Sequence, residues 1–430
     1  MKTKKMLAAL VLILSVLAMG FAAGQQETKP VGPVTIELWS SLSGSKAKLF
    51  DEQVVQYNGS QNEVVVQVIH QGGYSILRQK IAAAANAKNM PALLIGDYLD
   101  VAWYAQLGLL KDLDNLLAKD TLADYYPAML SDLTYKNALY ALPYNRSTQG
   151  FFVNNDLLKK AGITKAAATW DEFKQDAQTM KSLGKEYYYG YAFFHQFLFD
   201  AIAYTWGSEI STPDGTVKLN SPETVAMMTY FQDLFNKDLL LMQPVLVGGF
   251  EEQNGAFLDG KVATVFQTSS FIPTAEKLLK YDWSFEFLPA GKGGHAITIG
   301  GGNFAITSQA SKEATDAAVK FLTYMAKAET VANFFMNTGN LPTTKSSMNL
   351  PEVKAFLAAK PAYATMIDQL AYGKAAPSTT KNLRDVFNRV NDMISRIILN
   401  NESPKKVLDE YTALFQAEFN ESKALGEFIF

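Results

Sequence analysis

The sequence predicts an α/β protein of two lobes with a helical C-terminal tail, on three observations. The chain has 430 residues, 48% of them hydrophobic and 19% charged, which is enough apolar material for a large core and more than one small core can organise. Strand-like and helix-like patterns alternate from Val34 onward, the order that builds a parallel sheet covered by helices. From Pro351 to the end the apolar spacing is helical throughout.

The first 24 residues stand apart. Lys2, Lys4 and Lys5 precede the apolar run Met6 to Met19, and the small residues Gly20, Ala22, Ala23 and Gly24 follow, the pattern of a secretory signal peptide. The alternative, a retained anchor, fits less well because the run is short of the about 20 residues a bilayer needs. Removing the segment takes three of the 39 basic residues and none of the 42 acidic ones, so a formal charge of -3 becomes -6. No block of like charges occurs, which excludes nucleic acid as an expected partner. The absence of cysteine excludes disulfides, a thiolate nucleophile, cysteine-ligated zinc and a lipid-modified N-terminal cysteine. A periplasmic or otherwise extracytoplasmic location is expected.

Residues 25–32 read as a linker. Val34, Ile36 and Leu38 alternate with Thr35, Glu37 and Trp39 in a first strand, closed by the turn and cap residues at 41–45. A helix is expected from Ser45 to Tyr57, a β-branched strand from Val64 to Val68, and an alanine-rich helix from Tyr74 to Lys88. The apolar run Ala92 to Ile95 then ends at Gly96 and Asp97. Ligands of parallel sheets sit beyond the carboxyl ends of the strands, which nominates the loops 39–45, 70–74 and 96–103. After Pro143 a second region opens with an extended run over 148–156 and a helix from Asp156 to Lys160, stopped by Gly162. Thr169 and Glu172 have capping-box spacing, and long helices follow to about 182 and over 221–237. In the tail, Val386, Val390, Met393, Ile397 and Ile398 share one helical face and read as core.

Five segments in order carry a family resemblance: VTIELWSS (34–41), PYNRSTQGFFVNNDLLKKAGI (143–163), TWDEF (169–173), AFLDGKVAT (256–264) and NTGNLP (337–342). Together they resemble the extracellular solute-binding proteins of family 1, the sugar and glycerol-phosphate receptors of ABC importers. The resemblance implies a two-lobed periplasmic-binding-protein fold, type II-like, with the ligand in the cleft between lobes. Lobe one would hold 34–144 plus 296–337 and lobe two 148–292 plus 342–430, with hinge crossings near 144–149, 292–297 and 337–342. It also implies a monomeric, non-catalytic receptor without a cofactor, which closes over a carbohydrate and delivers it to a membrane permease.

A sugar shows hydroxyls around its rim and C–H groups on its faces, so its site needs hydrogen-bond partners and flat rings. Trp39, Tyr74, Trp103, Tyr104, Phe197 and Trp206 lie near loop or helix edges. With 5 Trp, 20 Tyr and 27 Phe in the chain, each of these is either core or a stacking platform. Ser41 ends the first strand among the residues of the first nominated loop. Asp97 either accepts sugar hydroxyls with charge-assisted bonds or serves as a turn aspartate after Gly96; the resemblance puts a glutamate at its position. Asn145 and Ser147 at the first crossing read as ligand contacts or as turn formers, and Arg146 as an anion contact or an outward-pointing charge. Ser269 and Ser270 precede a helix beginning near Pro273, where free amides suit a hydroxyl or phosphate and where plain capping also explains one serine. Gly301 and Gly302, in the run Gly300 to Gly302, allow close ligand approach or a bulge. Asn340 occupies the place of tyrosine in the TGYLP pattern of the resemblance, and Arg384 or Lys381 that of its basic residue near the C-terminal helices.

The rival function is a secreted glycoside hydrolase, which needs two carboxylates about 5 to 10 Å apart. Asp97 with Asp100 is the pair the sequence offers, while the all-helical tail argues against a βα barrel. His70, His195 and His295 lack metal-ligand spacing, so no metal is expected.

Overall fold

The structure, a computed structural model, describes residues 32–192, 195–212, 215–242, 251–374 and 383–428. The signal-peptide segment and Lys381 lie outside the described residues, as do the side chains of Arg384 and Val386.

Strand β1 (Val34–Ser40) turns Ile36, Leu38 and Ser40 inward, as its alternation requires. Helix α1 (Gly44–Ser60) crosses over to β2 (Val64–His70), and α2 (Tyr74–Ala87) to β3 (Leu93–Asp97). Both β2 and β3 run parallel to β1. Residues Leu93 to Ile95 are apolar without alternation because both faces of β3 are covered. Helix α3 (Tyr98–Gln106) starts directly from that strand, with Asp97 as its cap.

The sheet then departs from the expected parallel order. The long strand β4 (Leu142–Asn154) leads to α4 (Trp170–Met180), β5 (Tyr188–Tyr191), α5 (Gln196–Thr205), α6 (Pro222–Asn236), β6 (Leu240–Leu241) and β7 (Val262–Thr268). Strand β8 (Trp283–Glu286) pairs back on β4, and β9 (Ile297–Ile306) returns antiparallel between β3 and β4. The strand order is therefore β2-β1-β3-β9-β4-β7-β5-β6. The sheet is mixed because β9 re-enters from the far side of the molecule, so it meets β3 head to tail.

Two apolar cores lie along this sheet. The first gathers Ile36, Leu38, Phe50, Ile81, Leu93 and Ile95 with Phe304 and Ile306, and is covered by Phe321 of α7 (Lys312–Met325) and Phe334 of α8 (Ala328–Thr338). The second gathers Phe151, Phe152, Phe173, Tyr189, Phe231 and Phe266. It also takes in Val390, Met393, Ile394, Ile397 and Ile398 from α9 (Leu383–Ile398), and Val407 and Leu408 from α10 (Pro404–Phe428). Each fully buried phenylalanine contributes about 2 to 3 kcal/mol. Strands β4 and β9 belong to both cores: β4 gives Leu142 and Tyr144 to the first and Phe151 to Val153 to the second, while β9 gives Phe304 to the first and Ile297 and Ile299 to the second.

The Thr169 cap forms as its spacing requires. Thr169 Oγ1 accepts from Glu172 N at 3.2 Å, and Glu172 Oε2 accepts from Ala168 N at 2.7 Å. That fixes Trp170 in the second core, where its indole N–H donates to Thr205 Oγ1 at 2.9 Å. No helix among the described residues is long and apolar enough to cross a membrane.

Candidate functional site

A cleft of about 750 Å³ opens where β4 and β9 pass from one core to the other. Lys46, the segment Gly72 to Ile76, Arg78, Asp97 and Tyr98 line it from the first core's side, and His195, Phe197, Thr268, Ser270 and Asn391 from the second. Asn145, Ser147, Gly300, Gly301 and Asn340 form its floor on the crossing segments. The walls thus come from both halves of the fold.

The floor is a stitched backbone. The Leu341 amide donates to the Arg146 carbonyl at 2.6 Å and binds the segment after α8 to β4. Gly301, opposite Arg146 in the register, has φ +117°, and a Cβ on it would lie 2.0 Å from the Asn145 carbonyl oxygen. Only glycine fits there, and the strand register shifts immediately afterwards between Gly302 and Asn303. The run Gly300 to Gly302 is therefore a bulge, and it lets β9 pass between Tyr98, Phe197 and Tyr74, whose rings would meet Cβ atoms at Gly300 and Gly302.

Arg146 does not point outward. It is 0% exposed, with Nη2 donating to Asp132 Oδ2 at 2.6 Å and Nη1 to Asn303 Oδ1 at 2.9 Å, and its guanidinium sits 5.1 Å from the centre of the Tyr98 ring. Asp132 lies only 14 residues upstream, in the short helix Ser131–Leu133, and supplies the counter-charge that makes burial affordable.

Asp97 takes the turn role weighed for it. Its Oδ1 accepts from the Leu99 amide at 3.4 Å as the cap of α3, and it also lines the cleft. Arg78 Nε donates to Asp100 Oδ1 at 2.7 Å, while Arg78 Nη2 stays 3.8 Å from Asp97 Oδ2. Burial, then the Asp100 charge, push the Asp97 carboxyl up to about 7 against the pull of Arg78. Burial also raises the Tyr74 phenol, lowers the Lys46 amine to about 8 and lowers His195 to about 4. Asn145 Nδ2 reaches the Tyr74 hydroxyl at 3.4 Å, and Asn340 Nδ2 donates to the Arg146 carbonyl at 2.9 Å. The side-chain oxygens of both asparagines are buried with no protein partner.

The fold brings Tyr74, Asp97, Asn145, Ser147, Phe197, Ser270, Gly301 and Asn340 to one cleft. Other nominated residues sit behind or away from it. Ser269 is fully buried and pins the crossing, its Oγ donating to the Gly339 carbonyl at 2.9 Å and accepting from the Thr148 amide at 3.3 Å. Gly302 pairs with Asp97 beneath Tyr74, Ser41 is buried at the end of β1, and Trp39 packs against the first core. Trp206 rests on Trp170 and Tyr230, ring centres 6.2 and 5.2 Å away. Trp103 and Tyr104 pack on the first core. Among the described residues no group of His, Asp and Glu could hold a metal ion.

Sequence reasoning named none of Lys46, Arg78, His195 and Asn391 as cleft residues, and reached Tyr98 only through the nominated loop 96–103. Arg78 stands four residues after Tyr74, on the same helical face, and that spacing was the available signal. His195 and Asn391 are joined by a backbone-to-side-chain bond of 2.8 Å across 196 residues, which no local pattern announces.

The family described as bacterial extracellular solute-binding protein matches residues 52–365. The sn-glycerol-3-phosphate-binding periplasmic protein UgpB of Escherichia coli (strain K12) is 23% identical over 409 residues, spanning 87% of this chain and 90% of that protein. Two solved structures share the fold. The cyclic alpha-maltosyl-1,6-maltose binding protein of Arthrobacter globiformis superposes with a TM-score of 0.78 at 23% identity, covering 90% of this chain and 99% of the other. UgpB of Mycobacterium tuberculosis in complex with glycerophosphocholine superposes with a TM-score of 0.81 at 22% identity, covering 91% and 99%.

Proposed function

The chain belongs to the bacterial extracellular solute-binding protein family, and from that premise we propose that it captures a carbohydrate-like solute and passes it unchanged to the membrane permease of an ABC importer. The observation that carries this reading is the two-sided cleft: Tyr74, Arg78 and Asp97 on one wall face Phe197, Thr268 and Ser270 on the other. A solute touching both walls binds the closed form better than the open one, and that difference is what drives closure. The moving bodies are residues 34–144 with 296–337 and residues 148–292 with 342–430, flexing at the crossings. Rings at Tyr74, Tyr98 and Phe197 suit sugar faces, and the free oxygens of Asn145 and Asn340 suit sugar hydroxyls.

The receptor is not an enzyme in this reading. Asp97 and Asp100 share Arg78 and only Asp97 lines the cleft, so they do not flank a glycosidic bond from opposite sides as a hydrolase requires. It works as a monomer outside the cytoplasm after loss of its leader, without cofactor or nucleic acid.

Thermal shift and tryptophan fluorescence across a panel of sugars, sugar alcohols and glycerol-phosphate compounds test this. A native-state ligand raises the melting temperature and is recovered intact from the complex. Conversion of a bound sugar, or no shift with any member of the panel, overturns the reading.

A further inference from the structure

We propose that the solute this cleft selects carries a carboxylate, as a uronic acid or another acidic sugar, seated on Lys46, Arg78 and the start of α2 in the first lobe. The inference rests on the solute-binding reading and narrows it.

Lys46 stands half-buried in the first turn of α1 and lines the cleft. The helix dipole opposes a cation in that turn, and no acidic residue shares it. Burial alone moves the amine, down to about 8, and no carboxylate among the described residues comes within ion-pair distance to offset it. Arg78 leaves a second donor open. Its Nε donates to Asp100 Oδ1 at 2.7 Å, while Nη2 is buried without a hydrogen-bond partner. Asp97 Oδ2 stays 3.8 Å from Nη2, beyond hydrogen-bond reach. Asp100 thus offsets Arg78, and the cleft lining sets Lys46 against one carboxylate, Asp97, which burial keeps partly protonated near neutral pH.

Residues Gly72 to Ile76 line the same wall and begin α2, a helix of 14 residues. Gly73 caps it without a side chain and its first turn holds no acid, so its leading amides have no side-chain acceptor.

The floor asks for the opposite kind of partner. Asn340 is 1% exposed, and its Nδ2 is held by the Arg146 carbonyl, which leaves Oδ1 as an acceptor without a protein donor. Asn145, 8% exposed, leaves its Oδ1 open in the same way, with Nδ2 3.4 Å from the hydroxyl of Tyr74, the first residue of α2. Unpartnered donors therefore line the first lobe's wall and unpartnered acceptors the floor. An acidic sugar matches both, its carboxylate accepting from the wall and its hydroxyls donating to the floor. A neutral sugar leaves Lys46 uncompensated. A phosphate dianion brings a second negative charge near Asp97, for which the lining has no second unpaired cation.

The test is isothermal titration near neutral pH with matched probes: glucuronate against glucose, galacturonate against galactose, and cellobiouronate against cellobiose, with glucose 6-phosphate and glucosamine as the phosphate and cationic arms. In at least one pair the uronate binds about tenfold or more tightly than its neutral partner and than either arm. Lys46→Gln reduces that preference to about threefold or less, and Lys46→Arg, which keeps the charge, restores most of it. Added salt weakens the uronate more than the neutral sugar, a readout that needs no variant. Equal or tighter binding of the neutral sugars or of glucosamine, or a uronate preference that survives Lys46→Gln, overturns the inference while leaving the solute-binding reading intact. Tighter binding of glucose 6-phosphate than of every uronate overturns the assignment to a carboxylate. Silence across the whole panel overturns both readings.

Discussion

Asn340 donates from Nδ2 to the backbone oxygen of Arg146 at 2.9 Å, and this one side chain joins the third crossing to the first while its other amide atom faces the cleft. In the proposed reading, ligand seat and hinge therefore meet in a single group. Asn340→Ala is expected to lose about 1 kcal/mol of stability with the hydrogen bond. It is also expected to lose about tenfold or more in affinity for whichever solute the panel identifies. Urea unfolding and titration calorimetry read the two separately. Retained affinity in a destabilised variant would make Asn340 a hinge residue alone.

Asp132, partly buried, and Arg146, fully buried, form the charge pair of the first crossing. Burial pushes the Asp132 carboxyl upward and Arg146 holds it back, so removing the acid strands a fully buried guanidinium. Asp132→Asn is expected to cost about 3 to 5 kcal/mol in denaturant unfolding. Arg146→Lys keeps the charge but gives up the Arg fork that reaches both Asn303 and Asp132, and should fall between that variant and wild type. An unchanged unfolding midpoint in Asp132→Asn would mean that the pair adds nothing.

The legible parts of the fold were those written in local pattern. Alternation at Val34, Ile36 and Leu38 and the apolar run before Asp97 mark the strands of the first core, and residues at the carboxyl ends of strands, such as Asp97, reach the cleft for that reason. The mixed sheet was not legible, because ITIGGGNFAI records its own extended form but not its neighbours, β3 and β4, which are far away in the chain. Arg146 reads in the sequence as an anion contact or an outward-pointing charge, and Asp132 and Asn303 close around it instead. Trp206 carried the sugar-platform signal, yet Trp170, itself fixed by the Thr169 cap, takes one of its faces.

Gly301 tests how far the floor tolerates change. At φ +117° with the Asn145 carbonyl 2.0 Å from any added Cβ, the obstacle is backbone and cannot step aside. Gly301→Ala is expected to cost about 3 kcal/mol or more. It should also abolish ligand-driven compaction in small-angle scattering. At Gly300 the added Cβ would meet side-chain atoms of Phe197 and Tyr98, which can shift, so Gly300→Ala should cost less. Equal tolerance at both positions would contradict the bulge as the rigid part of the crossing.

Protonation of Asp97 should give stability and binding opposite slopes. Its carboxyl titrates at about 7 in the fold against an ordinary 3.8, burial being the larger cause and Asp100 the next. Between those values the free folded protein holds a proton that the unfolded chain has released, so this group's contribution to stability falls as pH rises from about 4 to about 7 and is level above. His195, lowered by burial from 6.5 to about 4, acts the other way, its contribution falling as pH drops through that window. A solute donor on Asp97 favours the charged carboxylate, so affinity should rise with pH from about 6 and level off near about 8. Calorimetric titrations over a buffer series should show that rise in wild type and a flat profile in Asp97→Asn, which cannot ionise. A slope that persists in Asp97→Asn would assign the proton to another group and remove Asp97 from contact with the solute.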